Sequence, residues 1–190
     1  MGAPLLQGDE LVVGYVEPII GPLSIRLEGG EVVGIFGPNG SGKSTLLRAL
    51  CGSARIFSGR LHKAPGVVIA HQHQRGVRPA ELPLTGADLA RAAGADPAQA
   101  PTEVAVLLRP RLDRLSGGQF QLVQVWIALA GPANLVLLDE PTNNLDPAIT
   151  QRLVELLAHA SREKTVLLVS HEHDFLDQVC TRRIEFEKGA

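Results

Sequence analysis

Nine residues, Gly37 to Thr45 (GPNGSGKST), constrain this chain more than any others. They follow Glu31 to Gly37 (EVVGIFG), an apolar run that reads as a buried strand. They lead into Ser44 to Cys51, which reads as a helix closed by Gly52. A turn that fits G-x-x-x-x-G-K-[ST] between a strand and a helix curls so that successive backbone N–H groups point inward. The positive end of the helix dipole faces the same point. Such a cradle takes a phosphate chain. Gly37, Pro38, Asn39, Gly40, Ser41 and Gly42 are expected to shape it. Lys43 is expected to reach the β- and γ-phosphates, Ser44 to ligate Mg²⁺, and Thr45 to add a hydroxyl contact.

The flanking chain sets this loop in an α/β domain. Strands are expected over Glu10 to Val16, Leu23 to Leu27, Gly66 to Ala70, Leu135 to Leu138 and Thr165 to Ser170. Helices are expected over Gly117 to Ala130 and Pro147 to His159. Apolar strands that alternate with helices and are buried on both faces imply a largely parallel sheet. Between about residues 75 and 118 the chain turns rich in Ala and Pro and reads as a small helical lobe inserted into one domain spanning residues 1–190. The net charge of −2 gives no reason to expect direct nucleic-acid binding. Cys51 and Cys180 are far apart and fit reduced core thiols of a cytosolic protein. No apolar run approaches the roughly 20 residues that span a bilayer, so a membrane role is expected to run through a partner chain.

Leu135 to Glu140 (LVLLDE) carries two acids to the end of an apolar strand, where ligands of α/β sheets bind. Asp139 is placed to hold Mg²⁺ and Glu140 to polarise the attacking water, the two needs of phosphoryl transfer. Alone, such a pair is more often a solvated turn; beside a phosphate loop it reads as catalytic.

Leu115 to Gln119 (LSGGQ), lying between the phosphate loop and LLDEPT at Leu137 to Thr142, resembles the signature of the ATP-binding cassette (ABC) family over nearly the whole chain. The resemblance implies a phosphate-loop NTPase fold of ABC type with an N-terminal antiparallel β region. It also implies an ATPase that uses ATP and Mg²⁺. Ser116, Gly117, Gly118 and Gln119 would then complete an ATP site on a second cassette, in a homodimer or heterodimer closed head to tail. Tyr15 falls where the family stacks an aromatic on adenine, although a lone Tyr at a strand end is also a rim residue. His171 (in LLVSHEHD) matches the switch histidine at the γ-phosphate; a purely structural role is the alternative. Asp146, in NNLD, matches the loop that couples the two sites, or caps the next helix before Pro147. Gln72 and Gln74 in IAHQHQ compete for the glutamine that touches Mg²⁺ and water, and alignment through LPLT favours Gln74. The HQH and HEH spacings would also allow a metal site, the weaker reading.

The family often carries arginines after the signature; Leu122 and Ile127 stand there instead. A single cassette of this kind looks like the ATPase subunit of a transporter, peripheral on the cytoplasmic face of a membrane through a permease. SGGQFQLV and LPLT resemble importers of metal ions or metal chelates. EPTNNLD and SHEHDFLDQV also resemble the soluble, ribosome-acting ABC-F group, the alternative reading.

Overall fold

The computed structural model describes residues 4–73, 83–143, 145–160 and 163–186. Five strands form a parallel sheet in the order β5-β6-β7-β3-β8: β3 (Val32–Phe36), β5 (Ile69–Gln72), β6 (Leu135–Asp139), β7 (Thr165–Val169) and β8 (Arg182–Glu185). The period of two in these strands sorts their side chains into two cores. Val33, Ile35, Leu135, Leu137, Leu167 and Val169 face one way; Val32, Val136, Leu138, Val166 and Leu168 face the other.

On the first face lies a three-stranded antiparallel sheet, order β2-β1-β4, made of β1 (Leu6–Gly14), β2 (Pro18–Leu27) and β4 (Arg55–Lys63). Helix α1 (Lys43–Leu50) is packed into the same core through Leu46, Leu47 and Leu50. The second face is covered by α4 (Gly117–Ala130), α5 (Pro147–Ala160) and α6 (His173–Val179). Two short helices, α2 (Gly86–Ala92) and α3 (Thr102–Leu108), pack on α4 through Ala90, Val104, Leu107 and Leu108. They lie within the stretch expected to be helical and Ala-rich. Helix α2 starts on a reciprocal cap. The Thr85 hydroxyl accepts from the Asp88 N–H, while the Asp88 carboxylate accepts from the Thr85 N–H and hydroxyl. Those bonds hold the Asp88 carboxyl below its usual range.

The structure corrects several expected limits. The first strand is Leu6–Gly14 rather than Glu10 to Val16, and the second begins at Pro18 rather than Leu23. A bulge explains the first error. Glu10 has φ +49, and pairing shifts register between Gly8 and Leu11. Polar Asp9 and Glu10 therefore interrupt the apolar alternation without ending the strand. Opposite the bulge, Gly59 has φ +88, and a Cβ there would lie 2.3 Å from the Glu10 carbonyl oxygen. β4, β8 and α6 were not expected from the sequence.

Candidate functional site

Gly42 caps α1 with φ +90 and no side-chain hydrogen bond, so the first turn of the helix keeps its backbone N–H groups for a ligand. A Cβ on Gly42 would come 2.1 Å from Ile20 Cγ2, because β2 lays that isoleucine against the loop. Gly42→Ala is therefore both strained and crowded. It is expected to lower stability by about 1–3 kcal/mol and to weaken nucleotide binding, read by thermal unfolding and by ATP titration. An unchanged melting temperature would contradict this placement.

A cavity of about 470 Å³ opens above the loop, lined by Ile19, Asn39, Gly40, Gly42, Lys43, Ser44, Thr45, Glu140, Asn143 and His171. Lys43 is buried and arches over its own loop, its Nζ donating to the carbonyl oxygens of Gly37 and Pro38, each at 2.8 Å. Burial lowers the Lys43 pKa, and the nearby Glu140 and Asp139 carboxylates oppose that shift. Ser44 Oγ donates to Asp139 Oδ1 at 2.8 Å. The strand β6 thus delivers Asp139 to the helix that follows the loop. Glu140, the next residue, is buried and holds φ +51. Its N–H donates to the Val169 carbonyl at 3.0 Å, and its Oε2 lies 2.8 Å from His171 Nδ1.

Other expected residues fall around this centre. The Tyr15 ring is partly exposed just past β1, and its hydroxyl accepts from Arg48 Nη1 at 2.7 Å. Asp146 caps α5: its Oδ1 accepts from the Ile149 N–H at 2.9 Å. Ser116 and Gln119 form a reciprocal cap on α4, Ser116 Oγ accepting from the Gln119 N–H and Gln119 Oε1 from the Ser116 N–H. Ser116 and Gly117 are exposed. None of residues 115–119 lines the phosphate cavity of their own chain. Gln74 lies outside the described residues. Gln72 is buried, donates to the His73 carbonyl at 2.8 Å, and lines a different groove, beside Leu89 and Ile127.

Sequence reading missed Ile19 as a cavity wall, and it missed Gln121. Gln121 Nε2 donates to the carbonyl oxygens of Pro141 at 2.7 Å and Glu140 at 3.3 Å. The second Gln of SGGQFQLV was the available signal, but only a contact across the fold distinguishes it from an ordinary helix residue.

The paired histidines serve different places. The rings of His71 and His73 lie 4.0 Å apart, and His71 Nδ1 is 3.4 Å from Cys51 Sγ. His173 instead meets the Phe36 ring edge-on. Among the described residues, no group of three or more His, Cys, Asp or Glu side chains could hold a metal ion. Burial, then His73 and Arg48, push His71 down to about 4 from an ordinary value near 6.5. The folded chain then refuses a proton that the unfolded chain accepts, so stability falls as pH drops from about 6.5 towards about 4. His71→Gln is expected to flatten that part of the profile in urea unfolding at pH 7.5 and pH 5; an identical pH dependence would contradict it. Burial also raises the Cys180 thiol to about 12, which leaves it unreactive.

A phosphate cradle at the end of one parallel strand, facing two acids at the end of another, defines a phosphate-loop nucleoside triphosphatase. A family profile described as ABC transporter matches residues 20–143, more than half of the chain. A shorter match, to a profile described as an AAA domain, putative AbiEii toxin of a type IV toxin–antitoxin system, covers residues 110–177. The chain is 36% identical over 177 residues to the zinc import ATP-binding protein ZnuC of Roseobacter denitrificans, covering 88% of this chain and 69% of that one. To the protein of the same name from Paracoccus denitrificans it is 40% identical over 180 residues, covering 89% and 70%. A solved ABC transporter in an inward-facing conformation, provisionally assigned to the metal-chelate type, superposes with TM-score 0.79 at 25% identity, covering 98% of this chain and 81% of that one. This chain belongs to the ABC transporter family, as an ATP-binding ATPase of that family's α/β fold.

Proposed function

We propose that this chain energises a separate membrane permease that imports a metal ion, by closing head to tail on Mg-ATP with a second cassette and hydrolysing it. The observation that carries the hydrolytic part is the grouping of Lys43, Ser44, Glu140 and His171 around one cavity. The importer part rests on relatives named as zinc import ATP-binding proteins over nearly nine-tenths of this chain. No helix among the described residues is long and apolar enough to cross a membrane, so the reading assigns translocation to the permease. The relatives named above give no support to the ribosome-acting alternative.

The oxygens of Ser44 and Asp139, side by side at 2.8 Å, suit a hard divalent cation that shares its remaining sites with phosphates and water. Mg²⁺ bound there would neutralise charge on the transferring phosphoryl group. Lys43 exchanges its two loop carbonyls for phosphate oxygens. Glu140, oriented by His171, takes up the proton of the attacking water, and His171 reports the γ-phosphate. Gln74 would add a contact to metal and water, and Tyr15 would stack on the base. The LSGGQ segment presents the exposed Ser116 and Gly117 at the start of α4 to the other protomer's nucleotide, and Asp146 lies on the loop linking the two sites. The compact lobe carrying α2 and α3 docks with the permease within one domain.

The test is recovery of partners. Tagged Glu140→Gln, purified from native cells with Mg-ATP present, is expected to bring down a polytopic membrane protein. Ribosomes recovered without any membrane protein would overturn the reading.

A further inference from the structure

We propose that Gln121 is a positioning residue that fixes the backbone of Glu140 and ties the signature helix to the hydrolytic site of its own chain. This rests on the assignment of Glu140 given above. Glu140 has φ +51, a left-handed conformation that a residue with a Cβ keeps only when its surroundings hold it. Two bonds grip it from opposite sides. Its N–H is held by the Val169 carbonyl of β7 at 3.0 Å. Its carbonyl oxygen and that of Pro141 are held by the Gln121 side-chain amide, at 3.3 and 2.7 Å. One amide nitrogen, on a helix, thereby pins two successive carbonyls of the turn that aims the carboxylate at His171.

The positions of α4 next to Gln121 that face the core are apolar. Leu122 and Ile127, where the family often carries arginines, are apolar and buried, at 1% and 7% exposure. Val123, Val125 and Trp126 are also buried in the core. Packing on such residues resists separation but does not hold a polar backbone at one angle. Gln121 supplies that angle. It stands five residues from Ser116, about 7.5 Å along the helix axis, on the first turns behind the exposed signature. Gln121 thereby joins the helix that opens with the signature to the Glu140–Pro141 carbonyls of its own chain.

Gln121→Met keeps the length and apolar contacts of the side chain and removes the amide. Gln121→Glu keeps the shape but turns a donor into an acceptor facing two carbonyl oxygens. Both are expected to lower kcat about tenfold or more, with KM for ATP within about twofold and the melting temperature of the nucleotide-free protein little changed. Nucleotide affinity by direct titration should stay the same. A kcat within about twofold of the parent in Gln121→Met overturns the proposal. So does a joint loss of kcat, ATP affinity and melting temperature in both variants, since the residue then serves folding alone. Glu140→Gln run in parallel separates the two failures. If it retains full turnover the assignment of Glu140 falls; if it is inactive while Gln121→Met is fully active, only the role of Gln121 falls.

Discussion

Glu140→Gln is expected to lower ATP turnover by about 10²–10⁴-fold while ATP still binds. The substitution keeps the volume of the side chain and its place beside His171, where Oε2 now lies 2.8 Å from Nδ1. It removes the proton acceptor. The loop residues that grip phosphate are untouched, so affinity should hold within a few-fold. A backbone at φ +51 accepts either side chain at equal strain, so a loss of fold is not the expected cause. Steady-state phosphate release together with equilibrium nucleotide titration separates the two quantities. Turnover within threefold of the parent would remove Glu140 from the reaction.

Lys43→Ala is expected to act on the other quantity. The ammonium group is buried, and burial lowers its pKa against the opposing pull of Glu140 and Asp139. A cation held in that setting forms charge-assisted bonds of roughly 1.5–3 kcal/mol each. In the loop they run to the Gly37 and Pro38 carbonyls at 2.8 Å, and with nucleotide bound they would run to phosphate oxygens. Losing them should weaken Mg-ATP binding by about 10²-fold, read with a fluorescent nucleotide, and abolish turnover at ordinary ATP concentrations. Binding within threefold of the parent would contradict the assigned role. The nucleotide-free protein should remain folded, because the alanine leaves α1 and its Leu46, Leu47 and Leu50 in place.

The parts of this molecule legible in the sequence are those where chemistry and burial coincide. β3, β6 and β7 are short apolar runs dominated by Val, Leu and Ile, too short for helices, and the glycine-rich loop is specified by its own spacing. Asp139 could be placed at the carboxyl end of the sheet because it closes an apolar strand; its bond to Ser44 across β7 could not. β4 was lost because most of its residues are exposed, so no apolar stripe marks it. β8 (RRIE) is an edge strand with a single partner, β3, and α6 is only seven residues long; neither is long enough to show a period. The tie from Gln121 to Glu140 joins residues 19 apart and leaves no local trace. Asp146 illustrates a different limit. Its helix cap was one of two readings of NNLD, and the cap is present, yet capping α5 does not prevent the same residue from facing a second protomer.

Completion of one chain's ATP site by another chain's LSGGQ is tested most directly by mixing two inactive variants. Lys43→Ala damages the phosphate loop; Ser116→Arg places a bulky cation on the exposed signature. Each alone should have almost no ATPase activity. In a head-to-tail dimer containing one of each, the intact loop faces the intact signature at one of the two sites. Random pairing makes about half the dimers mixed, so the mixture should recover about a quarter of the parent activity. A mixture no more active than its two components, or a Ser116→Arg chain that hydrolyses ATP at the parent rate by itself, would contradict a site shared between protomers.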